Sequence, residues 1–333
     1  IFELDGLCCT WEYDSDLFDP PRIERMAEHF ETLLRGICTD PQCTLSKLPL
    51  LGERERNKVV VEWNATECPF PDGVCIHEAF EAQAAHRPES IAIRTADSHL
   101  TYQQVNEEAN CLSHYLRKRG VRRQDRVGVA LERSPEAIIT LLAIMKTGAC
   151  YVPIDTAYPK QRIDFMLKDS GARVLVTQDR VRARLPEYGG QTVFIDRDRS
   201  SILVESRTNP AVALDCRSPA YAIYTSGSTG SPKGVLGTHR ASMNRFAWMW
   251  KEYPFQAGEV CAQRTSLSFV DSIAEIFGPL LGGMTIFVIP DDTVVDVEAL
   301  ARQLTNAHVT RIVVVPSLLG ALLDASPRGQ SVL

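Results

Sequence analysis

The chain has 333 residues, 44% hydrophobic and 23% charged, the make-up of an ordinary folded protein with room for two or three domains. Its net charge of −6 disfavours nonspecific binding to nucleic acid or to an anionic membrane surface, and no apolar run approaches the ~20 residues of a membrane span. Ten cysteines without a Cys-x-x-Cys pair read as free cytosolic thiols, not as a disulfide framework or a zinc site, so no metal ligands are assigned. The opening Ile1-Phe2-Glu3-Leu4-Asp5 has neither an initiator Met nor a signal-peptide pattern, and reads as a piece of something longer in the cytoplasm.

In chain order, residues 1–38 form a first unit. Phe2, Leu4 and Leu7 and the segment Thr10-Trp11-Glu12-Tyr13 read as strands. Asp19-Pro20-Pro21 then opens a helix whose apolar face is Ile23, Met26, Ala27, Phe30, Leu33, Leu34 and Ile37. A piece below about 40 residues builds no independent core, so this one reads as the end of a larger domain. Over 39–75 a charged helix, Glu53 to Trp63, gives way to a stretch carrying Pro69, Pro71 and Gly73, an interdomain connection. From Ile76 onward helix and strand alternate. Ile76, Ala79, Phe80 and Ala84 share a helical face, and further helices follow Leu100-Thr101-Tyr102 and Ser134-Pro135-Glu136. Strands are expected at 91–93, 127–131, 150–154, 174–177 and 193–195, with a polar loop over 197–218. Later, 284–289 reads as a strand, 296–307 as a helix and Arg311 to Ser317 as a strand ending in a turn. This alternation predicts an α/β fold with largely parallel sheets flanked by helices.

The most informative stretch is Tyr224-Thr225-Ser226-Gly227-Ser228-Thr229-Gly230-Ser231-Pro232-Lys233-Gly234, directly after the apolar run 220–223. Glycines let a backbone bend sharply and approach a ligand, and successive N–H groups in such a loop make an anion-binding concavity. The hydroxyls of Thr225, Ser226, Ser228 and Thr229 add donors, and Lys233 adds a positive charge. A flexible Gly/Ser linker needs neither a buried strand before it nor a lysine at its end. The spacing of the common nucleotide-binding loop, Gly-x4-Gly-Lys-Ser/Thr, is absent. The stretch resembles instead the signature loop of the adenylate-forming superfamily, which includes acyl-CoA synthetases, luciferases and the adenylation domains of nonribosomal peptide synthetases. Leu100-Thr101-Tyr102, and Met145 through Tyr151-Val152-Pro153-Ile154-Asp155, resemble core motifs of the peptide-synthetase branch; both read as packing motifs without chemistry.

The resemblance implies an acyl-CoA synthetase/luciferase-like N-terminal core over 76–333, the first part of an adenylation domain. Residues 39–75, with Glu62-Trp63-Asn64-Ala65-Thr66, resemble the linker between condensation and adenylation domains, and the small α+β remnant 1–38 resembles the C-terminal end of a condensation domain. The condensation histidine motif does not occur, so no peptide-bond chemistry is assigned. The implied reaction activates an amino-acid carboxylate with ATP and Mg2+ and passes the acyl group to phosphopantetheine on a separate carrier domain. Its partners would be the amino-acid substrate, an upstream condensation domain and a downstream carrier domain. The family's adenine, ribose and α-phosphate motifs do not occur in these 333 residues, so the chain alone is expected not to turn over.

By this resemblance Thr225 and Lys233 carry the catalytic role, and Thr225, Ser226, Gly227, Ser228, Thr229, Gly230 and Lys233 hold the ATP phosphates. His239, at the start of the next helix, stays outside the catalytic set. The stretch Phe269-Val270-Asp271-Ser272 resembles the family's amino-acid pocket motif, with Ala274 and Val313 as further walls. Val270 stands where an aspartate usually pairs with the substrate's α-ammonium, and Asp271 follows it. A residue one place along a helix points about 100° away. The Val-Asp pair resembles the pattern of domains that accept β-alanine or a similar β-amino acid; the alternative is that Asp271 caps the helix.

Overall fold

Residues 2–3, 7–226 and 231–325 are described by a computed structural model of the chain. The backbone divides into two units, Ile1–Pro69 and Phe70–Leu333, with the break inside the expected connection. In the first unit β1 (Phe2–Glu3) and β2 (Leu7–Cys8) pair antiparallel, followed by α1 (Pro20–Thr39) and α2 (Glu53–Val60). Thr10–Tyr13 is not a strand: Trp11 packs edge-on to Phe30 of α1, and no described strand pairs with the segment. The charged helix ends at Val60, short of Trp63.

The second unit contains α3 (Ile76–His86), β3 (Ile91–Arg94), β4 (His99–Thr101), α4 (Tyr102–Lys118), β5 (Arg126–Ala130), α5 (Pro135–Lys146) and β6 (Cys150–Pro153). It continues with α6 (Lys160–Ser170), β7 (Val174–Thr177), β8 (Gln191–Phe194), α7 (Arg199–Leu203), β9 (Pro219–Thr225), β10 (Lys233–Thr238) and α8 (His239–Glu252). The last elements are β11 (Val260–Gln263), α9 (Asp271–Leu281), β12 (Thr285–Val288), α10 (Asp291–Val294), α11 (Val297–Asn306) and α12 (Pro316–Ala325). One sheet has the order β10-β9-β6-β5-β7-β8, parallel except for the β9–β10 pair; the other is β11-β12-β3-β4, parallel except for β3–β4.

A single apolar cluster takes side chains from both sheets and from the helices between them: Ile93, Val127, Tyr151 and Ile286 from strands, and Phe80, Leu116, Leu142, Phe246 and Phe277 from α3, α4, α5, α8 and α9. Burial of these side chains, at about 25 cal/mol per Å2 of apolar surface, is the main force joining the sheets. The two family-like motifs turn out to be tie points in this layer. Thr101 caps α4 reciprocally with Gln104, and the buried Tyr102 hydroxyl lies 2.8 Å from the carbonyl oxygens of Leu280 and Met284. Lys146, its side chain fully buried, pairs with Glu81 of α3 and bonds Asn106 at 2.9 Å. An unpaired ammonium there would be costly, and the network removes that cost.

Two further expectations need correction. The 197–218 segment holds the short helix α7, because Ile202 packs into the core. The strand expected over Arg311–Ser317 is absent; Arg311 alone bridges Cys261, and Pro316 opens α12. Ile312 and Val314 still pack against the cluster around Leu300 and Leu304, so the alternating pattern is real although only Arg311 finds a partner strand.

Candidate active site

The parallel strands β5, β6, β7, β8 and β9 end on one edge of their sheet, the edge where open α/β sheets bind ligands. β9 ends there at Thr225. The chain returns as β10, a strand the sequence did not announce, so that Lys233 is not a loop residue but the first residue of a strand, directly opposite Thr225. Both are exposed at the mouth of the stretch they bracket, as is Ser226. Gly227, Ser228, Thr229 and Gly230 lie outside the described residues. Side chains on β9 hold the hairpin in register. A Cβ on Gly237 would fall 1.9 Å from the Tyr221 ring, so only glycine lets that ring lie across β10. Tyr224 donates from its hydroxyl to Asp169 Oδ2 at 2.6 Å; burial, and then that bond, push its pKa up.

β10 runs straight into α8, where Thr238 caps the helix by accepting from Ala241 N at 3.1 Å. His239 is fully buried, and its Nδ1 accepts the Ile76 N–H at 3.3 Å, tying the starts of α3 and α8 together. It packs edge-on to His77, and with Cys75 these side chains place three possible ligand atoms within 4.8 Å of one another. Burial pushes the pKa of His239 down to about 4; burial, with His239 and Lys146 nearby, pushes that of His77 down to about 3. Burial and Glu78 push the Cys75 thiol up to about 12. Two helix N-termini carry positive potential into this spot, and a structural zinc site takes four ligands where three are offered here. A neutral, structural cluster fits these facts better than a metal site.

The other half of the site begins at the end of β11. Phe269 and Val270 are exposed, Ala274 is buried, and Asp271 is the first residue of α9. Val270 occupies the cap position and makes no side-chain cap bond; Ser272 Oγ closes the turn by donating to Phe269 O at 2.6 Å. The Asp271 carboxylate lies 3.9 Å from the Arg245 guanidinium of α8, both side chains more than half exposed. Val313 is exposed, two residues beyond the Arg311–Cys261 bridge, at the end of β11 from which the pocket segment leaves.

Sequence reasoning missed two carboxylates here. Glu275, 3% exposed, accepts from Arg264 N at 3.1 Å, Thr265 N at 2.8 Å and Thr265 Oγ1 at 2.7 Å, and burial raises its pKa. Asp155, just after β6, accepts from Ser266 Oγ at 2.9 Å. The clue to Glu275 was a single acid in the otherwise apolar run Ile273-Ala274-Glu275-Ile276-Phe277. A cleft of about 900 Å3 further along the same edge is lined by Arg133, Arg180, Arg184, Glu132 and Asp291. Those charges pair with one another, Arg133 with Asp291 and Glu132 with both other arginines, so each already has a partner within the cleft.

Comparison with known proteins bears on the family and the fold. Residues 80–332 match the family "AMP-binding enzyme". Gramicidin S synthase 2 of Brevibacillus brevis is 36% identical over 95% of this chain, which spans 7% of that protein's length. Two structures of the nonribosomal peptide synthetase FmoA3 superpose with TM-score 0.81. The AMPPNP-bound form is 30% identical over 94% of this chain and 33% of its own; the form bound to α-methyl-L-serine-AMP is 29% identical over 96% and 36%. No helix among the described residues is long and apolar enough to cross a membrane. The chain belongs to the AMP-binding family of adenylate-forming ligases and folds as the N-terminal core found in adenylation domains of nonribosomal peptide synthetases.

Proposed function

We propose that this chain supplies the ATP-phosphate grip and part of the amino-acid pocket of an adenylation domain. In that role it activates an amino acid for loading onto a carrier-domain phosphopantetheine, between an upstream condensation domain and a downstream carrier. The carrying observation is the facing pair Thr225 and Lys233 at the two ends of the glycine-rich stretch. In the reaction a substrate carboxylate oxygen bonds to the α-phosphorus of ATP, and the bond to the bridging oxygen breaks, releasing pyrophosphate. Chemistry of this kind asks the protein mainly for positioning and charge neutralisation. Lys233 neutralises the departing pyrophosphate, while Thr225, Ser226, Gly227, Ser228, Thr229 and Gly230 donate to the β- and γ-phosphates. The exposed Thr225 hydroxyl is a hard oxygen of the type that would hold Mg2+, which when bound would supply further charge neutralisation.

The substrate is a β-amino acid such as β-alanine. Val270 offers no counter-ion to an α-ammonium, whose burial unpaired would be costly, whereas Asp271 stands one helical step on with its carboxylate more than half exposed, 3.9 Å from Arg245. Asp271 is in the first turn, not at the cap, which weakens its reading as a mere helix cap. Phe269, Ala274 and Val313 form walls. The test is substrate-dependent exchange of pyrophosphate into ATP by the full-length protein, across β-amino, α-amino and aryl acids. Exchange should be dominated by a β-amino acid and fall about 10- to 100-fold in Asp271→Ala and about 100-fold or more in Lys233→Ala. Exchange with a common α-amino acid, unmoved in Asp271→Ala, would overturn the substrate assignment. Residues 1–333 alone should bind nucleotide without exchange.

A further inference from the structure

Between the end of β11 and the pocket residues lies the short segment 264–268, and its anchoring is unusual. Glu275 takes three donors from Arg264 and Thr265 with both of its oxygens, in a place almost closed to solvent. All three groups donate, so the carboxylate meets them as an anion; a carboxamide would turn its own N–H groups toward N–H groups. From the other sheet Asp155 Oδ2 takes the Ser266 hydroxyl, while Asp155 Oδ1 accepts Ala157 N at 2.9 Å, which fixes the acid in its own loop. The Ser266 carbonyl in turn accepts Phe269 N at 3.0 Å. Asp155 follows β6, the neighbour of the phosphate-bearing strand β9, and Glu275 lies one helical turn beyond Asp271.

We propose that Glu275 and Asp155 are positioning residues that clamp segment 264–266 from two sides, and so set the pocket lip Phe269–Asp271 against the phosphate-gripping strand. This rests on the adenylation reading above. Neither acid needs to touch substrate. Each acts through the segment it holds, Glu275 from the helix that starts at Asp271 and Asp155 from the sheet that carries Thr225. The clamp thus sets where the amino acid's carboxylate meets ATP.

The experiment is steady-state pyrophosphate exchange by the full-length protein, with separate KM values for amino acid and ATP and with thermal unfolding as a fold control. Glu275→Gln should raise the amino-acid KM about 10- to 100-fold with the ATP KM within about 2-fold. Thr265→Val keeps the Glu275 charge and removes one bond, and should raise the same KM by about 5- to 10-fold; Thr265→Ser should restore it. Asp155→Ala and Ser266→Ala should each raise it, and together do no more than Asp155→Ala alone, since the bond to Ser266 is lost in both. An effect confined to Glu275→Gln would make that residue an electrostatic contributor and overturn the clamp. Parallel rises in both KM values, tracking lost thermal stability, would overturn it as well. Wild-type exchange with an amino-acid KM unmoved in Thr265→Val and Ser266→Ala overturns the clamp alone. Absence of any amino-acid-dependent exchange in the wild type overturns the adenylation reading and the clamp with it.

Discussion

Thr225 and Lys233 face each other across a backbone ladder whose register is kept by a tyrosine ring lying over glycine, whereas Phe269, Val270 and Asp271 hang from side-chain bonds. The proposed phosphate half is local: its polar groups come from eleven consecutive residues, Tyr224 to Gly234. The amino-acid half is assembled across the fold, since Glu275 and Asp155 lie 10 and 111 positions from the residues they hold. A backbone ladder suits a ligand that is always the same triphosphate. A lip held by side chains changes shape with each substitution, which suits the part that selects.

Acid should act most strongly where β10 meets α8. β10 runs into His239, which with His77 is buried and neutral, their pKa values pushed to about 4 and about 3. Their contribution is present above the unfolded value near 6.5 and is lost as pH falls through the window from 6.5 toward 4, on the order of 5 kcal/mol for the two together. Glu275 meets its three donors as an anion and burial raises its pKa, so acid that protonates it takes an acceptor from segment 264–265 as well. Hydrogen exchange at pH 5 should therefore show the β10–α8 amides opening more than at pH 7.5. Thermal unfolding followed from pH 7.5 to 4.5 should steepen below 6.5 and flatten in His77→Gln. An unchanged slope in that variant would remove the histidines from the phosphate half's stability.

Gly237→Ala tests the ladder itself. Its Cβ meets the Tyr221 ring, and the overpacking should cost about 3 kcal/mol and weaken ATP binding with the amino-acid KM little changed. Adding Tyr221→Ala should return part of that stability; no recovery would mean that the ring does not set the register. A smaller effect is expected from Tyr224→Phe, which removes the bond to the exposed Asp169: about 1 kcal/mol and a few-fold rise in the ATP KM.

The same contrast explains what could be read from the sequence. The alternating helices and strands and the start of α9 were legible because each is written in adjacent residues. β10 was not: Lys-Gly-Val-Leu-Gly-Thr carries two glycines, which strands avoid, and only the tyrosine rings of β9 make glycine the right choice there. Arg311–Ser317 erred the other way, with a strand's alternation but one paired residue. Asp155 was invisible because its partner at 2.9 Å depends on how two sheets come together, and Glu275 because its partners at 2.7–3.1 Å depend on how the chain turns from β11 into α9; no local pattern records either.

The smallest expected effect bears on the substrate. Arg245 lies 3.9 Å from Asp271, with both side chains more than half exposed, so the pair is worth less than about 1 kcal/mol. If Asp271 receives the substrate's ammonium, Arg245 competes for the same carboxylate, and Arg245→Gln should lower the amino-acid KM by no more than about 3-fold. The alternative is that Asp271 matters because it anchors α8 to α9 through Arg245, in which case removing either partner should do similar harm. Measured side by side, a large loss in Asp271→Ala with a slight gain in Arg245→Gln assigns the carboxylate to the ligand. Equal losses in the two variants assign it to the scaffold, and the amino-acid half would then have no counter-ion for any ammonium at Asp271.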